Sequence, residues 1–190
     1  MDKFLAFLRQ ITPISKEEYE DAISLFTEQN LEKGAFFIKQ DKVCKQIAFI
    51  ISGTLRTYYL NDKGEEITSC FCTENCLTTS YKSFILQQAS NLNLEAIEET
   101  QLLVIDYENL QKLYSKSAVW QNIGRAVAER EYIVMEQYAS VLNNETAKEK
   151  YLRLLEEQPN VLQKAKITDI ASYLGVTRRT LSRIRQEIIK

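Results

Sequence analysis

The spacing of apolar residues along the chain changes period twice. Up to about Asn30 it is helical: Tyr19, Ile23, Leu25 and Phe26 recur near helical spacing behind Ser15 and the charged Lys16-Glu17-Glu18, a helix start. From Leu31 to roughly Ile105 the texture becomes short runs rich in Ile, Val, Phe, Tyr and Thr, broken by Gly34, Gly53 and Asn61-Asp62-Lys63-Gly64. This is strand-and-turn chemistry. It predicts strands at Phe36–Ile38, Gln46–Ser52, Thr54–Leu60, Glu66–Cys72, Leu92–Ile97 and Gln101–Ile105. So many short strands in so short a stretch imply a sandwich or barrel.

After Asp106 the helical period returns and persists. Tyr107–Tyr114 reads as a short helix and Ser117 to about Leu142 as a long one. Trp120, Ile123, Val127, Val134, Tyr138 and Val141 recur at spacings of three, four or seven, with Ala126 and Ile133 beside them; Arg130 and Gln137 interrupt the stripe. Two readings are open, packing against the helix's own domain and a two-helix seam between copies. The seam is favoured, because a stripe ~39 Å long at 1.5 Å per residue outruns a small β-domain. Asn143-Asn144 breaks the helix. Thr146-Ala147-Lys148-Glu149 then offers a capping box for a new helix running to about Glu157, where Pro159-Asn160 is expected to end it.

Residues 167–185 read ITDIASYLGVTRRTLSRIR. Thr168 is placed to cap a first helix with Asp169 in its first turn, Ile170 and Leu174 pointing inward and Ala171 small where a second helix must cross. Gly175 supplies a left-handed turn residue. Thr177 caps a second helix with a buried stripe of Leu181, Ile184 and Ile188. This is the helix-turn-helix pattern. The other face of the second helix carries Arg178, Arg179, Ser182, Arg183 and Gln186. Arg178, Arg179 and Ser182, near its N-terminus, are the candidates for reading base edges. Lys164, Lys166, Thr168, Thr177, Arg183 and Arg185 are the candidates for phosphate contacts.

Charge supports a polyanionic partner for this end alone. The chain carries 24 Lys+Arg against 26 Asp+Glu, yet residues 159–190 hold seven against two, and the remainder 17 against 24. There is no histidine, which removes Ser-His and Cys-His nucleophile pairs, His-ligated metals and imidazole relays; no enzyme activity, cofactor or metal is expected. No uninterrupted apolar run is longer than Ile47–Ile51, far short of the roughly 20 residues that span a bilayer. Phe4–Leu8 is too short for a secretory signal. A cytoplasmic protein with free thiols at Cys44, Cys70, Cys72 and Cys76 is expected. Cys70-x-Cys72 shares one strand face and Cys76 follows closely, leaving buried packing, a redox-sensing thiol and a metal site as alternatives.

In this order and size, a β-rich domain, a long helix and a helix-turn-helix resemble the Crp/Fnr family of bacterial transcription regulators over nearly the whole chain. The likeness rests on KGAFFIKQDKVCKQIAFIISGTLRTYY at 33–59, DKGEE at 62–66, TAKEKYLRLLEEQP at 146–159 and the motif above. It implies an α+β protein with a cyclic-nucleotide-binding-like jelly roll at 1–116, a dimerisation helix at 117–143 and a small all-α helix-turn-helix domain at 144–190. It further implies a homodimer through the 117–142 helix, an inverted-repeat site on double-stranded DNA, RNA polymerase as a partner and an unidentified small-molecule effector. On this resemblance Arg178, Arg179 and Arg183 fall where the family contacts DNA.

Two departures bear on the sensor. Family members that bind cyclic nucleotides carry a Gly-Glu pair and an Arg-Ser or Arg-Thr pair around the phosphate, whereas 72–96, CTENCLTTSYKSFILQQASNLNLEA, has no Gly and no Arg. Ser90-Asn91 stands in place of the Arg pair and Lys82 is the only cation, so no useful cyclic-nucleotide binding is expected. Iron–sulfur members place their ligand cluster near the N-terminus, but no Cys precedes residue 44 here. The sequence stops at Lys190, directly after the second helix of the motif, so the family's hairpin wing is not expected. The alternative to a regulator is a small-ligand-binding jelly roll with secondary or lost DNA binding.

Overall fold

The computed structural model describes residues 2–189, without the side chains of residues 2, 137–144 and 189. Two helices lead, α1 (Asp2–Ile11) and α2 (Lys16–Ile23). Ser15 closes a capping box on α2: its Oγ accepts the Glu18 N–H at 3.2 Å, and its own N–H donates to Glu18 Oε2 at 3.0 Å. That N–H and the Ser15 hydroxyl, which donates to the same oxygen at 2.8 Å, hold the Glu18 carboxyl below its ordinary value.

The helical reading to Asn30 overruns. Thr27–Leu31 is a strand, β1, paired antiparallel with β8 (Thr100–Asp106), Thr27 opposite Val104 and Leu31 opposite Thr100. TEQNL has almost no apolar alternation, so the neighbouring strand rather than local propensity imposes the extended form. The other strands are β2 (Phe36–Ile38), β3 (Gln46–Ser52), β4 (Leu55–Leu60), β5 (Glu66–Cys72), β6 (Leu77–Thr78) and β7 (Asn93–Ala96). They form two four-stranded antiparallel sheets, β1-β8-β3-β6 and β2-β7-β4-β5, packed face to face as the strand pattern implied. Leu31, Ala48, Ile50, Leu55, Ala96, Leu102 and Val104 fill the space between them. The short helix α3 (Tyr81–Leu86) follows β6.

A second core lies where helices cover β3 and β8. Phe4, Leu8, Tyr19, Phe49, Phe84, Leu103 and Ile105 pack there against Leu110 and Leu113 of α4 (Tyr107–Lys116) and Trp120 and Ile123 of α5 (Ala118–Asn144). The first turns of α5 therefore belong to their own domain, and Val127 packs partly against the same cluster. Further on, Tyr132, Ile133, Val134 and Met135 are exposed, Tyr132 and Met135 by about 70%. The stripe positions Tyr138 and Val141 lie outside the described side chains.

Thr146 then caps α6 (Ala147–Glu157) through the expected box with Glu149. α6 ends at Glu157 as expected, and Pro159 then opens a further helix that the sequence reading did not contain. It occupies the first turn of α7 (Pro159–Lys164), a position where the missing N–H has no partner to lose and the fixed φ suits the helix. α8 (Ile167–Tyr173) and α9 (Arg178–Ile189) complete the chain. Tyr151, Leu154, Val161, Ile170, Ala171, Leu174, Leu181 and Ile184 form their core, together with Phe71 and Ile97 from the β-domain.

Candidate nucleic-acid interface

The turn between α8 and α9 is built as its residues require. Gly175 takes φ +68, the Val176 N–H donates to the Ala171 carbonyl at 2.9 Å, and the Gly175 N–H donates to Ser172 O at 3.0 Å. These bonds close the end of α8 in a left-handed cap. Thr177 Oγ1 accepts the Thr180 N–H at 3.2 Å, capping α9 as read. With Leu181 and Ile184 buried, the opposite face is turned outward: Arg178, Arg179, Ser182, Arg183 and Gln186 are all exposed. Ser182 donates to the Arg178 carbonyl at 3.0 Å, leaving its oxygen lone pairs outward. Arg183 lies 4.0 Å from Glu187, an exposed pair of small consequence.

Two candidates are placed differently from the sequence reading. Thr168 does not cap α8: Lys166 is the N-cap residue and Thr168 Oγ1 donates to Asp169 Oδ1 at 3.1 Å. Arg185 is turned inward, its guanidinium 5.7 Å from the Tyr151 ring centroid and its Nε buried without an acceptor. A helix exposes only one side, and position 185 falls on the flank next to Ile184 and Ile188, which leaves Arg185 half-buried beside Tyr151 rather than in the outward row. Lys166 is exposed at the start of α8, while Lys164 reaches Glu98 of the β-domain at 3.5 Å.

What seats this unit on the β-domain was not legible from the motif. Arg56 of β4 is 3% exposed; its Nη1 lies 2.6 Å from Glu66 and 3.6 Å from the buried Asp169, and its Nε donates to Thr68 Oγ1 at 2.9 Å. The guanidinium also sits 4.3 Å from the Tyr58 ring centroid. Beside it the Thr68 N–H donates to Ser172 Oγ at 2.9 Å, and that hydroxyl donates to the Glu66 carbonyl at 3.0 Å. Ser172 thus serves the open edge of β5 as a neighbouring strand would. Asp169 reads in sequence as a helix-start acid. The available signal was Arg56 itself, the only Arg in residues 10–124.

The segment resembling a phosphate cassette is satisfied from within. Ser90 Oγ donates to Ser80 Oγ at 2.8 Å and accepts the Leu92 N–H at 3.0 Å; both serines are buried. Ser83 Oγ accepts the Cys44 N–H at 2.8 Å, and Lys82 points to solvent. With Arg56 committed to Glu66 and Asp169, these residues do not fit a cyclic phosphate, which needs fixed donors to replace its water. No cluster of His, Cys, Asp or Glu suited to a metal occurs among the described residues. Cys44 is buried against Gln46 O and Thr79, whereas Cys70 and Cys72 lie with their sulfurs 3.8 Å apart.

Comparison with known proteins agrees with this architecture. Residues 28–117 match the cyclic nucleotide-binding domain family. No curated protein matches in sequence. Among solved structures, FixK2 from Bradyrhizobium japonicum is similar at a TM-score of 0.70 and 22% identity, over 86% of this chain and 84% of that one. The c-di-GMP-responsive global regulator CLP of Xanthomonas campestris gives 0.68 at 16% identity, over 92% and 91%. The catabolite activator protein of Thermus thermophilus gives 0.60 at 19% identity, over 94% and 85%. At such identities the likeness is one of fold. Residues 28–117 therefore form a domain of the cyclic nucleotide-binding family, and the chain as a whole has the fold of these solved structures.

Proposed function

We propose that this protein is a sequence-specific, DNA-binding transcription regulator that acts in the cytoplasm as a homodimer, with RNA polymerase as its partner at the promoter. The carrying observation is the outward row Arg178, Arg179 and Ser182 at the start of a helix whose other side is packed. Arg forks match guanine O6 and N7, and Arg183, Lys166 and Thr177 flank them for phosphates. A jelly roll that has lost DNA binding would have no use for three exposed arginines on one turned-out face. Arg179→Ala is expected to cost about 1–3 kcal/mol at a selected site, whereas Lys166→Ala weakens all sequences alike. Selection from random duplexes checks this, and a pool without an enriched motif refutes base reading. Half-sites are expected one turn apart, roughly 10–10.5 base pairs, or a multiple.

The exposed Tyr132, Ile133, Val134 and Met135 on α5 support the dimer seam. Because Val127 packs on its own domain, the informative variant is Ile133→Glu with Val134→Glu, which sets four like charges into a two-fold contact. Sedimentation is expected to show monomer; an unchanged dimer places the seam elsewhere.

The closed cassette supports a sensor retuned away from cyclic nucleotides. Calorimetry with cyclic AMP and cyclic GMP is expected to show no micromolar binding. Binding that disappears in Lys82→Ala contradicts this reading.

A further inference from the structure

Strand β5 faces two ways at once. Phe71 points out into the core of α6–α9, with its ring 5.6 Å from Tyr173, and its carbonyl accepts from Gln158 Nε2 at 3.4 Å. Cys70 and Cys72, on either side of it, point the other way and meet with sulfurs 3.8 Å apart. The register slips by one between Thr57 and Tyr58 of β4, so that Thr57 faces Cys70 while Tyr58 faces Thr68. The extra residue, Ser69, makes a bulge, which bends the strand next to the pair. Both residues are partly exposed, with their sulfurs turned toward each other.

We propose that Cys70 and Cys72 are a dithiol that hydroperoxides convert into a disulfide, and that closing this bond loosens helices α6–α9 from the β-domain. The Cys70 thiolate attacks the terminal oxygen of the hydroperoxide; an S–O bond forms, the O–O bond breaks, and the alcohol or water leaves with a proton. Cys72 then attacks the Cys70 sulfur; the S–S bond forms, and hydroxide leaves, taking the Cys72 proton as water. Two thiols give up two electrons and two protons, and the hydroperoxide is reduced. The environment suits this division of roles. The Cys72 thiol donates to Cys70 and, with Thr57 and Ser69, brings Cys70 down to about 7 against burial and the Glu131 carboxylate of α5. Cys72, hydrogen-bonded to Cys70 and with its thiol largely desolvated, is pushed well up and keeps its proton until the second step.

The coupling is mechanical. Alternate residues of a strand stand about 6.6 Å apart at Cα, the upper edge of what a disulfide tolerates, and the sulfurs must close to about 2.05 Å. The strand must pucker between them, and the residue between them is Phe71. Moving Phe71 withdraws its ring from Tyr173 and disturbs the adjoining Thr68–Ser172–Glu66 bonds at the β5 edge. The strain also keeps the bond reducible, as a reversible switch requires.

The effect on DNA rests on the function proposed above; the effect on domain docking does not. Reduced protein is treated with stoichiometric hydrogen peroxide and analysed by tandem mass spectrometry, by amide exchange at Thr68 and by DNA titration. The expected result is a Cys70–Cys72 disulfide, faster exchange of the Thr68 amide and about tenfold weaker specific DNA binding, all reversed by dithiothreitol. Cys76→Ser keeps these responses, and Cys72→Ser stops at the Cys70 sulfenic acid with Thr68 protected. Linkage through Cys76 or between chains, or no linkage, overturns the dithiol. A Cys70–Cys72 bond with Thr68 still protected overturns the coupling. If the reduced protein fails to bind DNA, the functional reading falls while the mass and exchange results still decide the switch.

Discussion

Arg56→Ala is expected to cost about 3–5 kcal/mol of stability, the usual effect of removing one partner from a buried charge pair. The guanidinium is the buried cation facing Asp169, itself 6% exposed, and it also holds Thr68 and Glu66. Without it Asp169 is left as a carboxylate in a nearly dry contact between the β-domain and α8. Glu66 is half exposed and adds little, since water serves it equally well. The loss therefore falls on docking: α8 separates from the edge of β5, and unfolding divides into two transitions. The double variant Arg56→Met with Asp169→Leu removes both charges and is expected to recover most of the loss. Urea unfolding followed by far-ultraviolet circular dichroism checks both. A single variant within 1 kcal/mol of the parent sets the latch aside.

Gly53→Ala is expected to be of similar or greater severity, above about 4 kcal/mol. Gly53 joins β3 to β4 at φ +94, and a Cβ built there lies 2.6 Å from the Glu99 carbonyl oxygen and 2.7 Å from Thr100 Cα. These are backbone atoms at the start of β8 and in the turn before it, and they cannot swing aside. Gly175 provides the control. Its φ is also positive, +68, but nothing lies within 4 Å of its added Cβ, so Gly175→Ala carries only the left-handed backbone cost of about 1–2 kcal/mol. Thermal melts that rank the two variants equally would falsify the claim that close approach, rather than φ alone, selects glycine at 53.

Where structure is decided within a few residues, the sequence was sufficient. The runs of β-branched and aromatic residues and the turn residues that bound them give β3 and β5 to the residue, because strand propensity and turn chemistry act locally. The Ser15 and Thr146 caps, the Gly175 turn and the inward Ile170, Leu174 and Leu181 are equally local. The outward face of α9 follows, since fixing one side of a helix fixes the other. What tertiary structure decided is where distant segments meet. TEQNL at 27–31 becomes a strand because β8 offers a free ladder, and Pro159 starts a helix because the chain turns there onto Phe71 and Ile97. Arg185 turns inward to Tyr151. Asp169 meets Arg56, and Ser172 serves an amide 104 residues away. The cassette closes on its own serines. The approach of Cys70 to Cys72 adds a finer case: a shared strand face is legible in spacing, but the 3.8 Å between sulfurs accompanies a bulge in the pairing of β5 with β4. Period and caps are properties of neighbours along the chain, whereas a buried ion pair, a borrowed strand edge or a bulge exists only once two separate segments have been brought into register.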